Sequence, residues 1–191
     1  MKKLAVVLFL AVALVVPVLA EKPNMELIPK IGYLFSPEMK YDDINDTFSD
    51  ESAISFGAEL FFNMRNNFFL GGGFMWGDIH KLNSKSDDKV GFSNLYAAAK
   101  YKILVNGTEE NPFFLYPLAQ LGVGFGRCEV KDSNTEIDGG LYWGLGAGVE
   151  IANIVAEFIY GCNYGEAKAG HLSVDLTYTA FRINVGYKFE L

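Results

Sequence analysis

The last eleven residues read F-R-I-N-V-G-Y-K-F-E-L, and they alternate without a break. Phe181, Ile183, Val185, Tyr187, Phe189 and Leu191 share one face, while Arg182, Asn184, Gly186, Lys188 and Glu190 share the other. Successive side chains of a β-strand point to opposite sides, so a period of two marks a strand with one apolar and one polar surface. This strand is long and carries aromatics close to its end. Whatever fold the chain adopts must cover that apolar ribbon with a core or give it to an apolar medium.

The same period recurs along the chain and predicts eight strands, at residues 25–35, 53–62, 67–76, 90–104, 113–126, 140–151, 154–164 and 174–191. The sixth is the cleanest. Leu141, Trp143, Leu145, Ala147, Val149 and Ile151 alternate with Tyr142, Gly144, Gly146, Gly148 and Glu150. Pro29 and Pro117 fall inside strands and each removes a ladder donor. The connections alternate in length. Residues 63–66, 105–112 and 152–153 are short turns; residues 36–52, 77–89, 127–139 and 165–173 are longer and polar. An even number of strands puts both termini on the side of the short turns.

The N-terminus reads as an address. Lys2 and Lys3 precede an apolar run of about thirteen residues, Leu4 to Val16, within the usual range for the core of a secretory signal. Pro17 breaks the run, and Val18-Leu19-Ala20 supplies small residues for cleavage before Glu21. No cysteine follows, so no lipid anchor is expected, and no segment is long and apolar enough for a membrane helix. Two parts result: a signal peptide at 1–20 and one β-domain at 21–191. Loss of Lys2 and Lys3 takes the formal charge from −7 to −9. Nucleic acid, which needs a concentrated basic surface, is therefore not an expected partner.

Period alone does not say which face is inside. Bulk does. The apolar face carries Phe, Tyr, Trp, Leu and Val in nearly every strand, and so many large side chains would overfill an eight-stranded barrel. The polar face is rich in glycine and would fill it. A soluble lipocalin-like barrel, with its apolar side inward, is the alternative. The favoured reading is all-β: an eight-stranded antiparallel up-and-down transmembrane barrel, lipid outside and a filled polar lumen inside. Tyr33, Tyr101, Trp143, Tyr160 and Tyr187 then form an outward aromatic girdle. The expected location is the bacterial outer membrane, with periplasmic termini and extracellular long loops.

The stretches G-L-Y-W-G-L-G-A-G-V-E-I, A-Q-L-G-V-G-F-G, N-L-Y-A-A-A-K-Y and the closing V-G-Y-K-F-E-L resemble the OmpA/OmpX-like superfamily of small outer-membrane β-barrels. The resemblance spans essentially the whole of residues 21–191. It implies outer-membrane lipid and lipopolysaccharide as surroundings. It also implies a C-terminal signal, read by the barrel-assembly machinery, on Val185, Tyr187, Phe189 and Leu191. The family usually ends on an aromatic residue; here Leu191 is last and Phe189 stands two before it. The peptidoglycan-binding domain of some relatives is not expected, because the chain stops at the eighth strand.

Inside the barrel, Lys30, Glu59, Lys100, Glu157 and Arg182 are expected at middle heights, with Glu26, Lys102, Glu150, Lys188 and Glu190 nearer the turn-side mouth. Buried charges are costly unless paired, and both signs are present, so a salt-bridged plug is expected rather than a narrow pore for solutes. His171, Ser173 and Asp175 could in principle serve an acyl hydrolase, and the His-x-Ser spacing resembles that of barrels that deacylate lipid A. Alternate residues on a strand line up rather than converge, so a solvated loop end and no enzyme are expected. Asp42, Asp43, Asn45, Asp46, Asp50 and Glu51 could offer oxygens to calcium, but Phe48 stands where a calcium loop needs glycine. A solvated acidic loop, able to meet host or environmental surfaces, is expected, with no metal and no cofactor. His80 has no obvious partner. Cys128 and Cys162 leave two readings open: a disulfide tying a loop to a strand, or two free thiols.

Overall fold

The computed structural model describes residues 25–41, 47–49, 52–77, 80–81, 89–108, 112–129, 135–169 and 172–191. Eight strands make the wall: β1 (Met25–Tyr41), β2 (Ala53–Arg65), β3 (Phe68–Gly77), β4 (Lys89–Tyr101, continued by Ile103–Gly107), β5 (Pro112–Glu129), β6 (Thr135–Ile151), β7 (Ile154–Ala169) and β8 (Leu172–Tyr187, continued by Phe189–Glu190). Each pairs antiparallel with the next in sequence. β8 then returns to β1, with Lys30 opposite Gly186 and Leu27 opposite Phe189, which closes the ring. A closed ring has no edge strand, the condition for placing backbone in lipid. Among the described residues no helix is long and apolar enough to cross a membrane.

Exposure follows the strand period. Ile31, Phe56, Leu121 and Leu145 are all more than half exposed on the outer wall, whereas Ile28, Phe61, Leu118 and Ile159 on the inner phase are buried. The apolar face therefore points outward, and the soluble, inverted barrel is set aside. Pro29 and Pro117 stay in their strands, opposite Ala58 and Ala147. In an antiparallel ladder a residue gives its N–H to one neighbour only, so each proline removes one bond and leaves the other side of the strand paired. At one end Asn66 and Asn67 make a two-residue turn with φ of 49° and 65°. Two successive positive φ angles match the twist of the flanking strands, and asparagine tolerates them. Ala152–Asn153 turns the β6–β7 hairpin at the same end.

The strands run further toward the opposite, loop end than alternation predicts. β1 reaches Tyr41 rather than residue 35, and β6 begins at Thr135 rather than residue 140. β7 ends at Ala169 and β8 starts at Leu172, so most of the expected loop at 165–173 is strand. Register shifts explain the discrepancy. Ser36, at φ 48°, sits in a bulge between Phe35 and Glu38, and the inner phase passes from Leu34 to Met39. A second shift opposite Asn163–Gly165 moves the inner phase of β6 from Tyr142 to Ile137. An extra residue inverts the alternation while the ladder continues, so period-two reading stops at a bulge.

The interior also departs from expectation. Glycines line much of β5 and β6, but the lumen is filled by aromatics as well as charges: Tyr96, Tyr116, Tyr142, Tyr178, Phe61 and Phe92 are all buried. Gly148 shows how both fit, because a Cβ there would lie 2.4 Å from the Tyr116 ring. Small residues on one wall make room for rings from another.

Candidate functional site

The lumen is the site where charge concentrates. Near the turn end, Glu26 on β1 accepts hydrogen bonds from Lys100, at 2.9 Å, and from Lys102. Lys102 also pairs with Glu150 at 2.6 Å, and Lys188 bridges Glu150 at 2.9 Å and Glu190 at 2.7 Å. The ammonium of Lys100 lies 4.0 Å above the Phe61 ring and that of Lys102 lies 4.5 Å above Phe69. Aromatic faces thus add cation–π attraction where water is excluded.

One layer further in, Lys30 is held between two carboxylates, Glu59 from β2 and Glu157 from β7, the latter at 2.6 Å. Neutral donors saturate both acids. Tyr96 and Gln120 donate to Glu59 at 2.9 and 3.0 Å, and Tyr116 and Asn184 donate to Glu157 at 2.9 and 3.3 Å. Among the described residues Arg182 bonds no carboxylate directly. It donates to the Tyr142 hydroxyl at 3.1 Å; Tyr142 donates to Gln120 at 2.6 Å, and Gln120 leads to Glu59. Two cations thus face two carboxylates in this layer, and three face three in the layer below. Desolvating a charge costs several kcal/mol, and close opposite charges with satisfied hydrogen bonds offset it. Together the side chains form a neutral, cross-linked plug that joins β1, β2, β4, β5, β6, β7 and β8.

Toward the loop end the filling changes. Leu34, Met39, Ala53, Val90, Phe92, Ile137, Leu176, Tyr178 and Ala180 form one buried apolar cluster, and Tyr41, Cys128 and Ala167 pack against it. Phe92 and Tyr178 stack at 4.9 Å. The expectation of a polar interior along its whole height is corrected here: no buried charged side chain belongs to this cluster. The bulges in β1 and β6 bring Met39 and Ile137 inside, where they join residues already on the inner phase of their strands.

On the outer wall, Tyr33, Tyr101 and Tyr187 are about half exposed. Tyr101 and Tyr187 lie low, opposite Phe68 and Ile154. Trp143 and Tyr160 lie nearer the loop end, edge to face at 5.8 Å, and Tyr160 continues to Phe181, Phe158 and Phe35. That five-ring cluster was not singled out from sequence, because cross-strand neighbours follow from register and not from period. Val185, Tyr187, Phe189 and Leu191 all point outward, and the Leu191 N–H donates to the Met25 carbonyl at 2.9 Å.

The remaining sequence candidates separate. Cys128 and Cys162 are both free thiols, so the disulfide reading is not realised. Cys128 follows the inner phase of β5 and packs on the apolar cluster, whereas Cys162 sits on the outer phase of β7, opposite Trp143. Two side chains on opposite sides of a wall cannot reach disulfide geometry. Ser173 donates to Glu166, and Asp175 is opposite Glu166 in the ladder; His171 lies outside the described residues. Lys168 binds Asp138 at 2.7 Å and Glu166 at 3.3 Å on the same exposed surface. These contacts beyond the apolar band hold the Glu166 carboxyl below its usual range, first through Ser173 and then Lys168, and raise the Lys168 ammonium, first through Asp138 and then Glu166. Asp42, Asp43, Asn45, Asp46, Asp50 and Glu51 lie outside the described residues, as does the 1–20 segment. Among the described residues no His, Cys, Asp and Glu group is arranged to hold a metal ion.

Comparison with solved structures returns small barrels. Neisserial surface protein A is similar over 88% of this chain and 100% of its own, at 17% identity and a TM-score of 0.52. OprG from Pseudomonas aeruginosa is similar over 89% and 98%, at 12% identity and 0.49. Ail, the attachment invasion locus protein of Yersinia pestis, is similar over 87% and 99%, at 16% identity and 0.46. No curated protein matches the sequence. At these identities the likeness is one of fold. The family model, by contrast, matches residues 6–189, nearly the whole chain, and on that match the protein belongs to the outer membrane protein beta-barrel domain family of the bacterial outer membrane.

Proposed function

We propose that this barrel is a non-enzymatic anchor: a filled, non-conducting cylinder that contributes to envelope integrity and presents its loop end to the cell exterior. The observation that carries this reading is the neutral plug. Glu26, Lys30, Glu59, Lys100, Lys102, Glu150, Glu157 and Lys188 are cross-linked across the lumen and all buried. A hydrated ion would have to displace several charge-assisted bonds at once, and then pass an apolar cluster that offers it nothing. The short turns and both strand termini occupy one end, which supports a periplasmic position for that end. Residues 1–20 serve as the leader in this reading. The outward Val185, Tyr187, Phe189 and Leu191 are the contact for assembly machinery, and the partners at the rims are lipid and lipopolysaccharide. Host or environmental surfaces are the partners of the loop end.

Single-channel recording in planar bilayers tests the reading. The expected trace is flat, without reproducible steps. Stable steps of one size would replace the plug with the narrow-pore reading. Lipid A mass spectra from cells with and without the protein test the other branch, with no change expected. A lost acyl chain that is restored by Ser173→Ala would identify a hydrolase instead.

A further inference from the structure

A cavity of about 20 Å³ lies in the lumen between the ion-pair network and the apolar loop-end cluster. Asn94, Tyr142, Asn163 and Arg182 line it on the polar side, and Phe92 and Tyr178 on the apolar side. A volume of that size admits about one water-sized molecule. Asn94 comes from β4 and Asn163 from β7, and their side-chain oxygens converge over Gly124 of β5. A Cβ built on Gly124 would lie 2.3 Å from Asn163 Oδ1 and 3.2 Å from Asn94 Oδ1. Both asparagines are 4% exposed, and among the described residues neither oxygen has a hydrogen-bond partner. Arg182, 6% exposed, closes a third side and uses Nη2 on Tyr142 at 3.1 Å, while its Nε has no partner.

Buried polar atoms are almost always paired with protein or ordered water, so three unpartnered ones on residues that line a single cavity call for an occupant. We infer that this cavity is a binding site for one neutral solvent molecule, a water that donates to Asn94 Oδ1 and Asn163 Oδ1 and accepts from the Arg182 guanidinium. Charge selects against ions. The two cations and two carboxylates of the neighbouring layer already balance. A metal cation would face Arg182 at close range, and an anion would face two carbonyl oxygens. A water molecule can donate twice and accept at the same time, and it fits the volume. Its effect is to extend the Glu59–Gln120–Tyr142–Arg182 chain to the base of the apolar cluster, so that the polar order ends on satisfied amides.

The test uses the intact ¹⁵N-labelled barrel in lipid bicelles, with the Arg182 side-chain N–H resonances assigned by their loss in Arg182→Lys. The expected spectrum shows a cross-peak from these protons to water, of the sign given by dipolar contact and not by proton exchange. The peak disappears in Asn163→Leu, which removes one of the two acceptors and leaves an apolar side chain of similar size. No such peak in the wild-type protein overturns the assignment, as does a peak that persists in a folded Asn163→Leu barrel. Crystals grown in sodium bromide give a second, independent readout that needs no variant. Density for a light atom in the cavity lined by Asn94, Asn163 and Arg182, without anomalous signal, is expected. An anomalous peak there, held by asparagine amides turned to present Nδ2, would replace the water with a halide.

Discussion

The two halves of the lumen are filled by different chemistry. Toward the turn end, Lys30, Lys100, Lys102 and Lys188 are tied to Glu26, Glu59, Glu150 and Glu157 by directional bonds. Toward the loop end, Met39, Val90, Phe92, Leu176 and Tyr178 interlock without a charge among them. Both halves exclude water from a cylinder too narrow to leave open. The charged half fixes which strand faces which, because a carboxylate with three donors from different strands tolerates no slip of register. The apolar half contributes burial that is roughly proportional to area and indifferent to exact pairing. That difference predicts how each half fails.

The largest effect is expected at Lys30. Lys30→Met leaves Glu59 and Glu157 buried without their cation, and breaking a buried pair costs about 3–5 kcal/mol. Urea titration in lipid vesicles, read by the mobility difference between folded and boiled protein on gels, should show that loss. Adding Glu157→Gln alone to the same chain should recover most of it, since Glu59 and Arg182 then balance in that layer. If the double variant is as unstable as Lys30→Met alone, geometry rather than charge governs this half.

In the apolar half, Leu176→Ala should cost about 3 kcal/mol, the usual range for emptying a buried leucine site. The same titration reads it. No compensating second substitution among the lumen charges should exist, because the site lies beyond them. A rescue by a change at Glu59 or Glu157 would show the two halves to be one coupled unit.

A smaller effect is expected outside the apolar band. The depressed Glu166 carboxyl stabilises the folded rim above its unfolded pKa, and that contribution is lost as pH falls through the lower, folded value. The raised Lys168 ammonium acts in the opposite sense: its contribution is present below its unfolded pKa and lost as pH rises through the higher folded one. Both groups are exposed, so solvent screens them and little change in overall stability is expected. Carbon-detected titration of Glu166 should give a midpoint below the usual range, and Ser173→Ala should bring it back upward. A midpoint unmoved by that change would remove Ser173 as the leading cause.

No stability change is involved in the last test. Alkylation of the urea-unfolded protein without reductant should add two groups by mass, one for each free thiol at Cys128 and Cys162. An unmodified mass would establish the disulfide after all and imply that β5 and β7 approach differently. The same spectrum reads the N-terminus, where a chain beginning at Glu21 is expected.

Much of this was legible from period two alone. Phe158 must be on one face and Glu157 on the other, so wherever the alternation is unbroken a sequence reading assigns each residue to the face of its charged or its bulky apolar neighbours, Tyr96 and Tyr142 falling with the charges. What alternation hides is the bulge. After Ser36, and again between Ile137 and Tyr142, one extra residue exchanges the faces. The strands therefore read as finished where they continue, and Met39 and Ile137 fall on what the alternation makes the outer phase. Pairings were hidden for a different reason. That Lys30 meets Glu157, 127 positions away, depends on closure of β8 onto β1 and on strand stagger, neither of which leaves a local mark. The cysteines show the limit plainly: their spacing permitted a bridge, and only the wall between them forbids it.

The sequence by itself determined the strand count, the lipid-facing surface and the presence of both charge signs inside, because each follows from residue type and a repeat of two. The tertiary structure decided the partners of each charge, the apolar character of the loop-end lumen and the freedom of the two thiols. Those depend on register and bulges, which are set jointly by all eight strands when the ring closes.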